Sequence, residues 1–167
     1  MLTASRLWQL TLSLYQQPGV EPCCLQIQHS HGGEVNLLLL LALFQAQGIG
    51  VNYKPLRYAA APLQAPLQQW RLLRRALKGK LSTDRYAELL SHELVLEKQL
   101  QQQLLTALPL AQHDGASQTP LNDYLESIGM TQSPSVAQLL LSQAHIILDG
   151  SHTDTTRSSG ITEEFTC

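Results

Sequence analysis

The chain has 167 residues and a formal net charge of −2, with 44% hydrophobic, 14% charged and 5% aromatic residues; 34 leucines and 19 glutamines dominate it. This length supports one domain with a sizeable core, and the apolar content is too high for wholesale disorder. Collagen-like, disulfide-dense and strongly basic nucleic-acid-binding compositions are excluded.

In chain order, residues 3 to 17 place Leu7, Trp8, Leu10 and Leu14 on a helical stripe that Pro18-Gly19 stops. Pro22 suits the first turn of a second helix, with Cys23, Leu25 and Ile27 on its buried side and Gly32-Gly33 at its end. A third helix over residues 34 to 47 carries Leu37–Leu41, Leu43 and Phe44. These cover every face, so this helix is expected at the centre of the fold. A strand is the competing reading, but leucine and alanine outnumber β-branched residues and the span is too long.

Pro55, Pro62 and Pro66 are expected to divide the next stretch into a short helix over 56–61 and a longer one over 63–78, closed by Gly79. Ser82-Thr83-Asp84 caps a long amphipathic helix that Pro109 should end at Leu108. Residues 111–119 read as a loop. Two shorter helices follow, opened by Pro120 and Pro134 and closed by Gly129 and Gly150. The Ser/Thr-rich stretch 151–167 has no periodicity and is expected to be a disordered polar tail. The fold class is all-α: a single bundle-like domain of six to eight helices over residues 1–150, around a buried central helix.

Three cysteines are present, Cys23, Cys24 and Cys167. Sequence neighbours cannot close an ordinary bridge, so reduced thiols and a cytoplasmic location are expected. Polar residues interrupt the N-terminal apolar positions, which argues against a signal peptide. The longest apolar run, Leu37 to Phe44, falls far short of the roughly 20 residues that span a bilayer. No membrane span is expected.

Four groups of residues bear on function. His29, His31 and Glu34 form a tight group of metal-capable side chains, but residues two apart on a helix diverge. They read as polar residues of a last helical turn, and no metal site is expected. Cys23-Cys24 follows Pro22 at a helix start, yet vicinal thiols lack redox spacing and read as small buried hydrophobes. Asn36, just ahead of the leucine run, is a candidate buried amide with a structural or ligand-reading role, and Glu34 joins it as a polar candidate.

The fourth group is basic. Eight of the eleven Lys and Arg residues fall between Lys54 and Arg85, against one acid, Asp84. Arg71, Arg74, Arg75 and Lys78 follow i, i+3, i+4, i+7 spacing and form one stripe. That stripe is a candidate for binding a phosphate or a partner. The alternative is internal pairing, since an antiparallel hairpin would set Glu88, Glu93 and Glu97 beside these bases.

Leu7-Trp8, Leu14-Tyr15 with Pro18-Gly19-Val20, Cys24-Leu25 with Gln28, Gly33 with Val35-Asn36-Leu37-Leu38-Leu39, and the basic Arg74-Arg75, Leu77 and Lys78 carry a resemblance. Over roughly residues 7 to 108 the chain resembles an uncharacterised family of small cytoplasmic bacterial proteins, a conserved domain of unknown function. Glu34 stands where that family usually carries Asp. The resemblance implies a helical fold and a bacterial cytoplasm, and brings no activity.

The expected function is a non-enzymatic helical protein–protein interaction or adaptor protein, acting through an amphipathic surface on a partner or on itself. A phosphate-binding module, associated with RNA or a ribosome, is the second reading, although nucleic acid is not favoured. A small-ligand-binding or enzymatic protein with a site near Asn36 is the third. No catalytic residue and no cofactor are expected.

Overall fold

A computed structural model describes residues 2–113, 115–130 and 134–150 of the chain. Among these, seven α-helices form and no strand does; a single bridge pairs Val51 with Ser117. The expected disordered stretch 151–167 lies outside the described residues.

Helix α1 (Ala4–Tyr15) is capped by the Thr3 hydroxyl, which accepts from the Arg6 N–H at 3.2 Å, and buries Leu7, Leu10, Thr11 and Leu14. Helix α2 (Val20–His31) begins two residues before Pro22, which sits in its first turn and sacrifices no ladder bond there. Gly32 closes it at φ 65°, and the Gly33 N–H reaches back to the Ile27 carbonyl at 3.4 Å. This is the left-handed ending that glycine makes cheaply.

Helix α3 (Val35–Ala46) is the centre of the molecule. Every residue from Val35 to Phe44 is buried, as an apolar run with no hydrophilic face demands. Burial of its six leucines contributes roughly 9–18 kcal/mol before chain entropy is subtracted. Helices α1, α2, α4, α5, α6 and α7 all pack on it.

Two expectations about proline are corrected. Residues Tyr53–Leu77 form one continuous helix, α4, with Pro62 and Pro66 inside it. Thr83–His113 likewise form one helix, α5, which runs through Pro109. In each case the proline sits on an exposed position. The carbonyls of Tyr58, Pro62 and Leu105 that lose their i+4 donors therefore lie toward water. Burial of the opposite faces outweighs the loss: Leu56, Ala60 and Leu67 on α4, and Leu100, Leu104 and Ala111 on α5. The last turn of α5 is further tied down where the Asn52 N–H donates to the Ala111 carbonyl at 2.7 Å.

Helices α4 and α5 form a long antiparallel hairpin, turning at Gly79 (φ 77°). At 1.5 Å per residue, α4 is about 37 Å and α5 about 46 Å long, against about 18 Å for α3. Much of the hairpin therefore extends past the central helix. Helices α6 (Pro120–Ser127) and α7 (Pro134–Gly150) close the bundle against α3, and α7 takes in Gly150, the residue expected to close it from outside. No helix among the described residues is long and apolar enough to cross a membrane.

Candidate functional site

The α2–α3 turn places Glu34 as the N-cap of α3. Its Oε2 accepts from the Leu37 N–H at 2.6 Å, and its own N–H donates to the Tyr124 hydroxyl at 3.0 Å. Asn36, in the first turn, turns its amide toward the hairpin. Nδ2 donates to Glu34 Oε1 at 3.3 Å and to the Glu97 carboxylate, and Oδ1 accepts from Gln101 Nε2 at 2.9 Å. Gln101 Nε2 also donates to the Thr11 hydroxyl at 2.8 Å, which donates to the Leu7 carbonyl at 2.9 Å.

From Glu97 the chain of contacts continues between α4 and α5. Arg71 pairs with Glu97 and lies 3.8 Å from Glu93. Arg74 Nε donates to Glu93 Oε2 at 2.5 Å, and its Nη1 donates to the Tyr86 hydroxyl at 3.1 Å. Glu34, Asn36, Arg71, Arg74, Glu93, Glu97 and Gln101 are each no more than 5% exposed.

Charges this deep are tolerated only when paired and hydrogen-bonded. Three carboxylates face two guanidiniums, an excess of one negative charge. Burial pushes the Glu34 carboxyl up to about 7, and the neighbouring Glu97 charge adds to it, against the Leu37 N–H, Arg71 and the Asn36 N–H, which pull the other way. A proton on Glu34 balances the cluster at two and two. Burial works against the charge on Arg74, but the hydrogen bonds it donates to Glu93 and Tyr86 hold its guanidinium above the ordinary value. Burial also lifts Tyr124 to about 12, so it stays a neutral donor–acceptor.

Gln101, at one end of this cluster, lines a cavity of about 330 Å³ with Trp8 and Lys98, but access to the charged members is narrow. A crevice of about 30 Å³ between the Gly32-Gly33 turn and α4 reaches Glu34 and Arg71. That volume holds about one water and no organic substrate. A cavity of about 920 Å³ lies elsewhere, among the ends of α1, α3, α5 and α7, and none of the cluster's residues lines it. The cluster is therefore a polar layer that joins the hairpin to α3.

The basic stripe, for which exposure and internal pairing both stood open, is split. Arg71 and Arg74 turn inward onto Glu97 and Glu93, while Arg75 and Lys78 stay exposed. The internal pairing weighed for the hairpin holds for Glu93 and Glu97, and Glu88 stays at the surface. Asn36 and Glu34 come together as expected of polar neighbours. The rings of His29 and His31 go separate ways, to the carbonyls of Leu25 and Ile128 at 3.0 and 3.2 Å. Thr11, Gln101 and Tyr124 escape sequence reasoning: Gln101 lies in a glutamine-rich segment that reads as a solvated face, and Tyr124 is 90 residues from its partner Glu34.

A second feature lies on the opposite side of α4. Tyr58, Ala61, Pro62, Ala65, Gln69, Leu72, Leu73 and Ala76 recur at helical spacing and all are exposed. Tyr58 is 85%, Leu72 51% and Leu73 46% exposed, and the stripe carries no charge. Trp70 flanks it, donating to the Leu89 carbonyl at 3.0 Å and meeting the His92 ring across the hairpin.

These features define an all-helical protein with a buried charged layer and an uncharged outer helix face. The chain belongs to the family described as protein of unknown function DUF2390, whose model matches residues 6–104. The match contains every member of the buried cluster except Tyr124. No curated protein and no solved structure matches the chain.

Proposed function

We propose that this protein is a non-enzymatic helical interaction module that docks a partner protein on the outward face of α4. The observation that carries this reading is the exposed stripe from Tyr58 to Ala76, about 27 Å long, with two adjacent half-exposed leucines and no charge. Solvated helix faces ordinarily carry charged residues, as the exposed side of α5 does with Arg85 and Glu88. Ala61 and Ala65, one turn apart, allow a second helix to approach closely, and Leu72 and Leu73 supply anchors of the kind that helix-in-groove docking uses.

The phosphate-binding reading is left with less to work on. A phosphate at the basic helix meets Arg75 and Lys78, whereas the guanidiniums of Arg71 and Arg74 are engaged by Glu97 and Glu93.

A benzophenone photocrosslinker at Leu72, introduced in cells of the source organism, tests the proposal. It is expected to give one adduct of defined mass, absent when the crosslinker stands at Gln102 on α5 and lost when Leu73→Glu is added. Adducts that are equally strong from both positions, or unaffected by Leu73→Glu, would sink the reading. Because both leucines are surface residues, circular dichroism should show an unchanged fold.

A further inference from the structure

The cations around the α4 stripe bear on what it docks. Between residues 54 and 80 the sequence holds seven Lys or Arg and no acid. Two of these, Arg71 and Arg74, are buried against Glu97 and Glu93. The other five, Lys54, Arg57, Arg75, Lys78 and Lys80, are exposed, and among the described residues none has a carboxylate within ion-pair distance. Arg75 does bond internally, through Nε to the Arg71 carbonyl at 3.3 Å, which fixes the root of its side chain at the edge of the stripe.

Two of them, Arg57 and Arg75, lie on one side of the stripe. Arg57, Gln68 and Arg75 share the flank of α4 that leads away from Trp70, at i, i+11 and i+18, five full turns of one face. The other flank is apolar, with Pro66, Trp70 and Leu77 leading to Leu89 on α5. An apolar strip about 27 Å long is thus bordered on one edge by cations and continued on the other by apolar surface.

Resting on the docking surface proposed above, we propose that the partner is an amphipathic helix whose apolar stripe is bordered along one edge by Asp or Glu. Leucines of that helix pack on Leu72, Leu73 and the alanines, and its acids meet Arg57 and Arg75. Like charge works against pairing of α4 with α4 of a second copy, because every charged residue on this helix is basic. The chain's net charge of −2 makes the basic edge a local feature that selects a partner, rather than a general attraction to anions.

The experiment uses two synthetic helical peptides of about 18 residues, the length of the stripe. They share one leucine stripe and differ in its edge residues, Glu in one and Lys in the other. Binding to the full chain is read by fluorescence anisotropy at two salt concentrations. The Leu/Glu peptide is expected to bind, to weaken as salt rises, and to lose about tenfold in affinity with Arg57→Glu/Arg75→Glu. Leu72→Glu should abolish it, and the Leu/Lys peptide should fail to bind. Equal binding of both peptides, or indifference to the arginine reversals, overturns the acidic-edge assignment. If the Leu72 crosslink nonetheless forms, the docking face survives and only its partner's chemistry falls. If neither peptide binds and Leu72 captures nothing, both proposals fall. Binding to phosphatidylglycerol vesicles without peptide binding would assign the face to an anionic membrane instead. Concentration-dependent dimers dissolved by Leu73→Glu would assign it to a second copy. Either result overturns the acidic-helix proposal.

Discussion

Asn36 and Glu97 lie 61 residues apart in sequence, and the amide of one donates to the carboxylate of the other inside the protein. This bond ties the first turn of the central helix to the middle of the α4–α5 hairpin. Asn36 also bonds Glu34 and Gln101, so no single apolar side chain can take its place.

Asn36→Leu is therefore expected to cost about 2–4 kcal/mol despite its better match to the leucine run, because it strips donors from two buried carboxylates. Asn36→Asp should cost at least as much, by adding a fourth acid to the cluster. Urea unfolding read by circular dichroism checks both. A change within about 0.5 kcal/mol for either variant would show that the network does not support the fold.

Glu34 makes stability depend on pH. Its carboxyl sits at about 7 in the fold against an ordinary 4.5, so between these values the native state holds more protons than the unfolded chain. Stability from this group is complete below about pH 4.5 and is lost as pH rises through about 7, an effect on the order of 3 kcal/mol. Midpoints of urea unfolding at pH 5 and pH 8 should differ in this direction, and Glu34→Gln should shrink the difference. A variant that keeps the whole pH dependence would place its origin elsewhere.

The Arg74–Glu93 pair should behave asymmetrically. Arg74→Met alone leaves Glu93 without its closest cation and is expected to cost about 3–5 kcal/mol, whereas Arg74→Met/Glu93→Leu should recover most of that loss. Additive costs in a double-mutant cycle would contradict burial of the pair.

Pro62 offers a test in the other direction. Pro62→Ala restores a donor for the Tyr58 carbonyl on the exposed face of α4, and thermal unfolding should show a gain of about 1–2 kcal/mol. Gly33→Ala should lose about 1–3 kcal/mol, since the added carbon meets the buried Ile27 Cγ2 at 2.6 Å.

Most of this fold is legible in residues 1–150. The leucine run gives the buried helix directly, and glycines at 32, 79 and 129, all at positive φ, mark helix ends as the sequence suggests. What misleads is proline. Pro62, Pro66 and Pro109 read as breaks because local chemistry disfavours them within a helix, and the burial of the opposite faces that overrides this is a tertiary fact. The candidate site was half legible. Asn36, Glu34 and the basic stripe are conspicuous in sequence, but whether Arg71 faces water or Glu97 depends on which side of α4 meets α5. Gln101 illustrates the limit: its neighbours Gln99 and Gln102 are exposed, and only its own position on the helix turns it inward.

The two ion pairs of the hairpin also act as an alignment key. Arg71 meets Glu97 and Arg74 meets Glu93, so the partners step in opposite directions along the two helices. Leucines on both strands of this hairpin are numerous enough to pack in several registers, and apolar packing alone discriminates weakly among them. A slip of one helical turn would keep only one pairing, Arg71 with Glu93 or Arg74 with Glu97, and leave one guanidinium and one carboxylate unpaired in the interior. That unpaired buried charge disfavours misaligned hairpins, and the exposed face of α4 is held in one fixed orientation.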